Sequence, residues 1–187
     1  MTVEKTAVAA VAGLMALAAR TAPKAKGQDS ILVRVLTTME LKKLSGAMTA
    51  YGETHEHAGF FLRDAKNIAA SDSCVLIGVL GKQAVLINCG ACGYASCAAF
   101  TKAAHGATAK KQATPFAGPN CAVRMADLGI ALGSAVKTAQ IHNVDNRIMY
   151  SAGSVAIGLG LLGKNCTAAF AIPLSASGKN IFFDRTP

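Results

Sequence analysis

Four cysteines near the middle of the chain have a spacing suited to binding an inorganic cluster. Three of them follow a Cys-x2-Cys-x4-Cys pattern and one comes later: Cys89, Cys92, Cys97 and Cys121. Thiolates this close in sequence can converge on one cluster only if the backbone turns tightly, and Gly90 and Gly93 permit such turns because they lack Cβ. We therefore predict that the four cysteines hold an iron–sulfur cluster.

The residues around the cysteines are expected to complete a small module. Residues 98–104 have the pattern of a helix that begins just after Cys97, and its free N–H groups would face an anionic centre. The apolar residues 84–87 predict a short strand that leads into the cysteine loop. Residues 107–119 lack periodicity and predict a surface loop, which lets Cys121 return to the cluster.

Three other uses of these cysteines stay open at this point. Zinc sites are usually built from paired Cys-x2-Cys knuckles, which the x4 gap and the single later cysteine fit poorly. A redox-active dithiol needs a preceding strand and a helix that starts at the first cysteine. Structural or disulfide-bonded cysteines are uncommon where clustered thiols have no secretory context.

The cysteine segment resembles a small iron–sulfur domain that occurs in electron-transport subunits and corrinoid-protein subunits of anaerobes. That domain has the pattern Cys-Gly-x-Cys-Gly-x3-Cys with a later cysteine, and residues 89–97 match it, with Cys121 as the distant ligand. The alanine that the pattern has further on is shifted or replaced in residues 98–101. The resemblance implies that the cluster is of the [4Fe–4S] type.

Size and composition fit one domain with a core of its own. The chain has 187 residues and is 52% hydrophobic, but it has few aromatic residues and no Trp. Small residues of this kind favour closely packed helices and leave room for a cofactor. We predict a single domain over residues 1–187 that contains the cluster module as an insertion at residues 84–121.

The formal net charge of +9 indicates an anionic partner. A cluster with four thiolates is itself negative and offsets part of this charge. The basic residues are scattered, and they do not form a stripe interleaved with aromatic residues. We therefore expect anionic cofactors, acidic redox partners or small-molecule acceptors, and we do not expect nucleic acid.

An apolar run of thirteen residues lies near the N-terminus, at residues 7–19. It is too short to span a bilayer, although it has the length of a signal-peptide core. The run is mostly alanine, and Glu4 lies in the segment before it. Because iron–sulfur clusters need assembly inside the cell, we expect a cytoplasmic protein that does not contact a membrane.

Hydrophobic periodicity predicts a mixture of helices and strands in which helices dominate. The first helix should end before Pro23, a capping box at Thr37 and Glu40 should start a second helix that Gly52 stops, and Asp145 should cap a late helix. The other predicted elements are a strand or helix start at 31–35, a helix at 60–70, a strand buried on both faces at 74–80, a long helix at 121–142 and a final strand at 167–172.

Two loops carry residues that suit a phosphate group. Arg20 and Lys24 follow the first helix, and Ser175, Ser177 and Lys179 follow the final strand. Loops that follow strands often bind ligands, and Ser, Gly and Lys suit a phosphate. Alternatively, Arg20 and Lys24 satisfy the last carbonyl groups of the helix, and Lys179 is an ordinary turn residue. Both interpretations stay open.

Over nearly its full length the chain resembles a family of uncharacterised prokaryotic ferredoxin-domain proteins. The cysteine loop carries this resemblance, together with residues 18–27, 127–137 and 172–185. The resemblance indicates a family but implies no particular reaction.

The order of elements also resembles that of nitroreductase-type flavoproteins. This resemblance implies a helix-rich α+β fold with three layers, α-β-α, and an FMN site that two subunits of a homodimer share. It implies that the flavin phosphate is contacted by Arg20, Thr21, Lys24, Lys179 and Arg185. The sequence departs from the family pattern, because one arginine replaces the usual pair and the usual asparagine after Pro23 is missing.

These observations together predict an iron–sulfur oxidoreductase of anaerobic type. Its cluster would pass single electrons to or from a bound FMN, which would serve a small-molecule acceptor. The main alternative is a ferredoxin-like electron carrier without a substrate of its own, docked on a larger redox enzyme. A cluster-dependent sensor is a third hypothesis.

Overall fold

The structure of the protein is a computed structural model that describes residues 2–106 and 115–183. Helices and strands are interspersed along the chain, and a short 3-10 turn at Ala25–Gly27 follows the first helix. The elements are α1 (Val3–Thr21), β1 (Ile31–Val35), α2 (Thr38–Thr54), α3 (Gly59–Ala70), β2 (Ser73–Val79), α4 (Cys97–Gly106), α5 (Ala122–Ile141), β3 (Asp145–Asn146), α6 (Tyr150–Gly158) and β4 (Ala168–Ser175).

Four of the described strands form one antiparallel sheet in the order β1-β2-β4-β3. Strand β2 lies inside the sheet, where Val79 pairs with Ile31 of β1 and Val75 pairs with Ile172 of β4. All residues of β2 are buried, which confirms the predicted strand with two buried faces. This confirms a helix-rich α+β architecture built around a central sheet.

Helices cover both faces of the sheet and make the fold three-layered. Because side chains alternate along a strand, Val75 and Ile77 point to opposite faces from Leu76. The first two pack in one core with α1 and α5, through residues such as Met15 and Leu128. The other face packs against α2, α3 and α6, through residues that include Leu44, Met48, Ile68, Leu76 and Ala152.

The helix boundaries follow from local signals in the sequence. The side chain of Thr2 accepts the N–H of Lys5 and caps α1, which ends two residues before Pro23. Thr37 and Glu40 form the predicted capping box at the start of α2. Since α2 continues to Thr54, the prediction that Gly52 stops it was wrong.

Two other local predictions also differ from the structure. Residues 84–87 do not form a strand, because Leu86 has a φ of 62°, which extended backbone does not allow. Asp145 does not cap a helix, since it pairs with Ser175 in the sheet and α6 is preceded by Met149. Of the predicted loop at 107–119, residues 107–114 lie outside the described residues.

The apolar run at residues 7–19 lies within α1, whose buried side chains pack on α5 and the sheet. In the two described ranges, no helix is long and apolar enough to cross a membrane.

Candidate iron–sulfur site

The four cysteines lie on three segments that follow strand β2. Cys89 is exposed and Cys92 is half-buried in the loop before α4, Cys97 is the first residue of α4, and Cys121 is buried immediately before α5. Each of the four is a free thiol. Two of them therefore stand at helix N-termini, where unpaired N–H groups favour an anionic group.

A small hydrophobic core joins these segments, and we call it the cluster-side core. Its buried members are Val85, Phe100, Ala104 and Cys121. Cys92 and Tyr94 pack against it, and the rings of Tyr94 and Phe100 meet edge to face with their centroids 5.8 Å apart. The loop of the first cysteines, helix α4 and the last cysteine are therefore held together by apolar contacts.

The backbone turns so that N–H groups approach the sulfur of Cys97. The N–H of Asn88 donates to Cys97 Sγ at 3.4 Å, and the Asn88 side chain accepts the N–H of Cys97 at 2.8 Å. The Asn88 N–H lowers the pKa of the Cys97 thiol, partial burial opposes this, and the N–H groups of Ile87 and Leu86 lower the pKa further. This environment favours the thiolate, which is the form that binds metal.

Gly90 and Gly93 have the role expected from their lack of Cβ. Both have positive φ, of 72° and 83°, and the N–H of Gly93 donates to the carbonyl of Gly90 at 2.9 Å. The chain therefore makes a tight turn around Cys92. Ser96 then caps α4, since its hydroxyl accepts the N–H of Ala99 at 3.1 Å.

Cys121 is fixed by the end of the central strand. Its N–H donates to the carbonyl of Gly81 at 2.8 Å, and the N–H of Gly81 donates to the Thr167 hydroxyl at 2.9 Å. Gly81 admits no side chain, because a Cβ there would lie 2.0 Å from Oδ1 of Asn120. The position of the fourth cysteine is thus tied to the sheet.

The donor set fits an iron–sulfur cluster in its chemistry, with free thiols and N–H groups directed at a sulfur. Among the residues that the structure describes, no three His, Cys, Asp or Glu side chains are grouped closely enough to hold a metal ion. The ligand set Cys89, Cys92, Cys97 and Cys121 therefore stays a prediction. It depends on thiol chemistry, spacing and the shared core.

Thiol alkylation of the metal-free protein should report the environment of Cys97. Iodoacetamide reacts with thiolates, so Cys97 should be labelled at a lower pH than a cysteine in an unstructured peptide, and its labelling should fall once the pH drops below its own pKa. Burial raises the pKa of Cys74 to about 12 and that of Cys166 to about 11, so both should stay unlabelled in the folded protein. Peptide mass spectrometry across a pH series measures all three. Labelling of Cys97 and of the unstructured-peptide cysteine at the same pH would contradict the expectation.

The basic loop, residues 20–27, begins with the last two residues of α1, and several of its side chains form hydrogen bonds within the fold. Lys24 Nζ donates to the carbonyls of Ala22 and Ala19 at 2.7 and 3.4 Å, and also to that of Arg20. Arg20 pairs with Asp29 and donates to the carbonyl of Ile31 at 2.7 Å. For Lys24, the alternative that it satisfies the last carbonyl groups of the helix is confirmed. The Thr21 hydroxyl donates to the carbonyl of Leu17 at 3.1 Å.

The loop after β4 lies at the other end of α1. Ser175 is buried at the end of β4, and Ser177 accepts the N–H of Lys179 at 3.3 Å. Ser177 lines a surface pocket of about 490 Å³ together with Thr2 and Asp72. Because α1 has 19 residues, its ends are about 28 Å apart. One chain therefore does not bring the loop after α1 and the loop after β4 together. Arg185 lies outside the described residues.

A buried ion pair that we did not predict from the sequence links the basic loop to the cysteine segments. Arg124 is 2% exposed, and its guanidinium lies 3.1 Å from the Asp127 carboxylate. Arg124 also donates to the backbone carbonyls of Gln28 and Gln83, at 3.0 and 3.3 Å, and Asp127 accepts the N–H of Ala25 at 3.0 Å. The available signal was an Arg-x-x-Asp pair at one-turn spacing in the apolar first half of the helix.

Solved structures of flavoproteins share this fold. A nitroreductase with bound FMN from Desulfitobacterium hafniense DCB-2 superposes with a TM-score of 0.58 and 14% identity, over 91% of this chain and 78% of that one. A BluB-like flavoprotein from Clostridium difficile 630 gives a TM-score of 0.56 and 14% identity, over 95% and 83%. These likenesses confirm the nitroreductase-like fold.

Sequence comparisons find relatives over nearly the whole chain. The family described as "Putative Fe-S cluster" matches residues 87–112, and the family described as "Uncharacterized protein containing a ferredoxin domain (DUF2148)" matches residues 117–185. A protein of Archaeoglobus fulgidus, described as "Uncharacterized protein", is 42% identical over 174 residues, which are 93% of this chain and 89% of that one. The chain therefore belongs to the DUF2148 family of proteins that contain a ferredoxin domain, as its cysteine spacing and basic loop predicted.

Proposed function

We propose that the protein is an iron–sulfur oxidoreductase whose [4Fe–4S] cluster exchanges electrons with FMN and, through it, with a small-molecule acceptor. The observation that carries the proposal is the set of free thiols in a Cys-x2-Cys-x4-Cys loop, with a fourth thiol in the core that supports this loop. The iron–sulfur family match over residues 87–112 and the FMN-binding neighbour support a redox role.

The residues of the cysteine loop would bind the cluster and adjust its charge. Cys89, Cys92, Cys97 and Cys121 are the proposed ligands, and a cluster held by them supplies one-electron transfer. The N–H of Asn88 stabilises negative charge on Cys97, which raises the reduction potential of a bound centre. Buried Cys121 would hold such a centre against the cluster-side core, and Cys89, which is exposed, would be accessible to a partner.

The flavin part of the proposal depends on the loop after α1. Ala25 packs against the cluster-side core, so this loop adjoins the cysteine segments, at a place where electrons could pass between two cofactors. The candidate phosphate contacts are Lys24 in this loop and Arg20 in the last turn of α1. Since the loop after β4 lies at the far end of α1, a site that uses both loops requires a second copy of the chain. A homodimer is therefore part of the proposal.

Anaerobic purification with quantification of cofactors tests this proposal. We expect about four irons and four sulfides for each chain, as a [4Fe–4S] cluster requires, together with FMN in the same sample. Absorbance and electron paramagnetic resonance spectra distinguish the cluster types, and light scattering gives the mass of the particle. Bound zinc in place of iron would refute the proposal.

A second candidate is an electron carrier without flavin or substrate. The engagement of Arg20 by Asp29 and of Lys24 by helix carbonyls favours it, because these contacts occupy the groups that would bind the flavin phosphate. The same preparation separates the two hypotheses. A full complement of iron and sulfide with no flavin, and no turnover after FMN is added, would select the carrier.

A further inference from the structure

Two neighbouring aliphatic side chains are exposed beside the cysteine loop. Leu86 is 66% exposed and Ile87 is 50% exposed, and both come just before exposed Asn88 and Cys89. Single exposed hydrophobic residues are common on protein surfaces. Here, however, the backbone holds them outward at a conformational cost, because Leu86 has a φ of 62°.

The same backbone conformation serves Cys97. The N–H of Asn88 donates to Cys97 Sγ at 3.4 Å, and the Asn88 side chain accepts the N–H of Cys97 at 2.8 Å. With the backbone of this segment held against Cys97, the side chains of Leu86 and Ile87 remain in solvent. An apolar surface is therefore presented next to a candidate cluster ligand. We call Leu86, Ile87 and Cys89 the loop patch.

The stretch of sequence that contains the loop patch has no acidic residues. The sequence contains no Asp or Glu from position 73 to position 126, although it has ten elsewhere. In the described part of this stretch, Lys102 is exposed on α4 and Lys82 is half-buried at the end of β2. The next acidic residue, Asp127, is buried against Arg124. A partner for this surface needs negative charge around an apolar centre.

We infer that the loop patch docks an acidic electron-transfer protein, which exchanges one electron with the cluster at each encounter. In that step the reduced partner is oxidised by one electron, the cluster is reduced by one electron, and no bond forms or breaks. The inference rests on the proposed function, since it needs a cluster behind the loop patch. It adds the chemistry and the location of the redox partner.

Other occupants fit the loop patch less well. At the loop patch a second copy would place the same stretch, which has lysines and no acidic residue, against itself, so the proposed homodimer would use another face. A single-stranded nucleic acid is usually bound with its bases stacked on aromatic residues, whereas Tyr94 is half-buried against Phe100. An acidic protein with an apolar centre satisfies both the charge and the exposed aliphatic side chains.

Stopped-flow electron transfer between cluster-loaded full-length protein and a small acidic ferredoxin, reduced with dithionite, tests the inference. We expect the second-order rate constant to fall about fivefold or more for Leu86→Ser/Ile87→Ser, with iron and sulfide content unchanged. For Lys102→Glu we expect a lower rate constant at low salt and a weaker dependence on ionic strength. Matched controls are Met39→Ser, which changes an 80% exposed side chain on α2, and Lys43→Glu on the same helix. Both should change the rate constant by less than about twofold.

The outcomes separate this inference from the proposed function. If the wild-type protein holds no iron, the proposed function fails before docking is tested. If the protein is loaded and the double variant reacts as fast as wild type at every salt concentration, the docking inference is wrong. It is also wrong if the rate constant falls only in proportion to iron content, or if sedimentation shows that the double variant breaks a dimer.

Discussion

Replacing Cys121 with alanine is expected to remove the cluster while the protein stays folded. The variant leaves three thiols in one loop, without the buried thiol at the start of α5 that we propose as the fourth ligand. Iron and sulfide after anaerobic reconstitution should fall below the wild-type content, since even the loss of a group behind a ligand costs about 10- to 100-fold in metal affinity. Iron and sulfide assays, with the spectrum of the dithionite-reduced protein, provide the measurement.

Cys74→Ala is the matched control for this variant. Cys74 is also a fully buried thiol, but it lies in β2 and packs between the sheet and the second helical layer. Its substitution should leave iron and sulfide at the wild-type level and affect only the unfolding midpoint. If Cys121→Ala keeps a full cluster, then Cys121 is not a ligand and the proposed set of four is wrong.

The elements that were predicted correctly have strong local signals. Thr37 and Glu40 satisfy each other's backbone groups, so their spacing alone indicates the start of α2. The apolar run of β2 is bounded by polar residues, and its length matches a strand buried between two layers. Both signals depend on a few consecutive residues and need no knowledge of distant contacts.

The predictions for residues 84–87 and for Asp145 failed because each segment makes a contact outside its own local sequence. The apolar residues 84–87 resemble a strand, but their backbone instead directs N–H groups at the sulfur of Cys97. Asp145 resembles a helix cap, but it pairs with Ser175 of β4. In both cases a partner outside the segment outweighed local propensity, Cys97 in the first case and Ser175 in the second.

The candidate site was predictable in its chemistry and less so in its arrangement. Cysteine spacing indicated the iron–sulfur family because ligands in one loop must follow the chain's local geometry. The sequence could not show that the basic loop and the loop after β4 lie at opposite ends of α1, since this depends on the return of the chain through β4. It also gave no measure of how deeply Arg124 and Asp127 are buried.

Substituting Asp127 with asparagine is expected to cost about 3–5 kcal/mol of unfolding free energy, the usual effect of breaking a buried ion pair. The variant places an amide near Arg124 and leaves its guanidinium buried without a counter-charge. Arg124 also holds the carbonyls of Gln28 and Gln83, so the basic loop and the segment before the cysteines should loosen together. Urea unfolding of the metal-free protein measures this cost without a contribution from metal binding.

Asp29→Asn is the matched control for the loss of unfolding free energy expected of Asp127→Asn. Asp29 pairs with Arg20 at the surface, where the two side chains are 41% and 46% exposed, and its other oxygen accepts the N–H of Ile31 at 2.9 Å. Solvent screens this pair, so the same chemical change should cost about 0–1 kcal/mol. A similar small cost for both variants would show that the buried pair contributes no more than the surface pair. A large cost for Asp127→Asn alone would show that burial decides how strongly each pair holds the loop beside the cysteines.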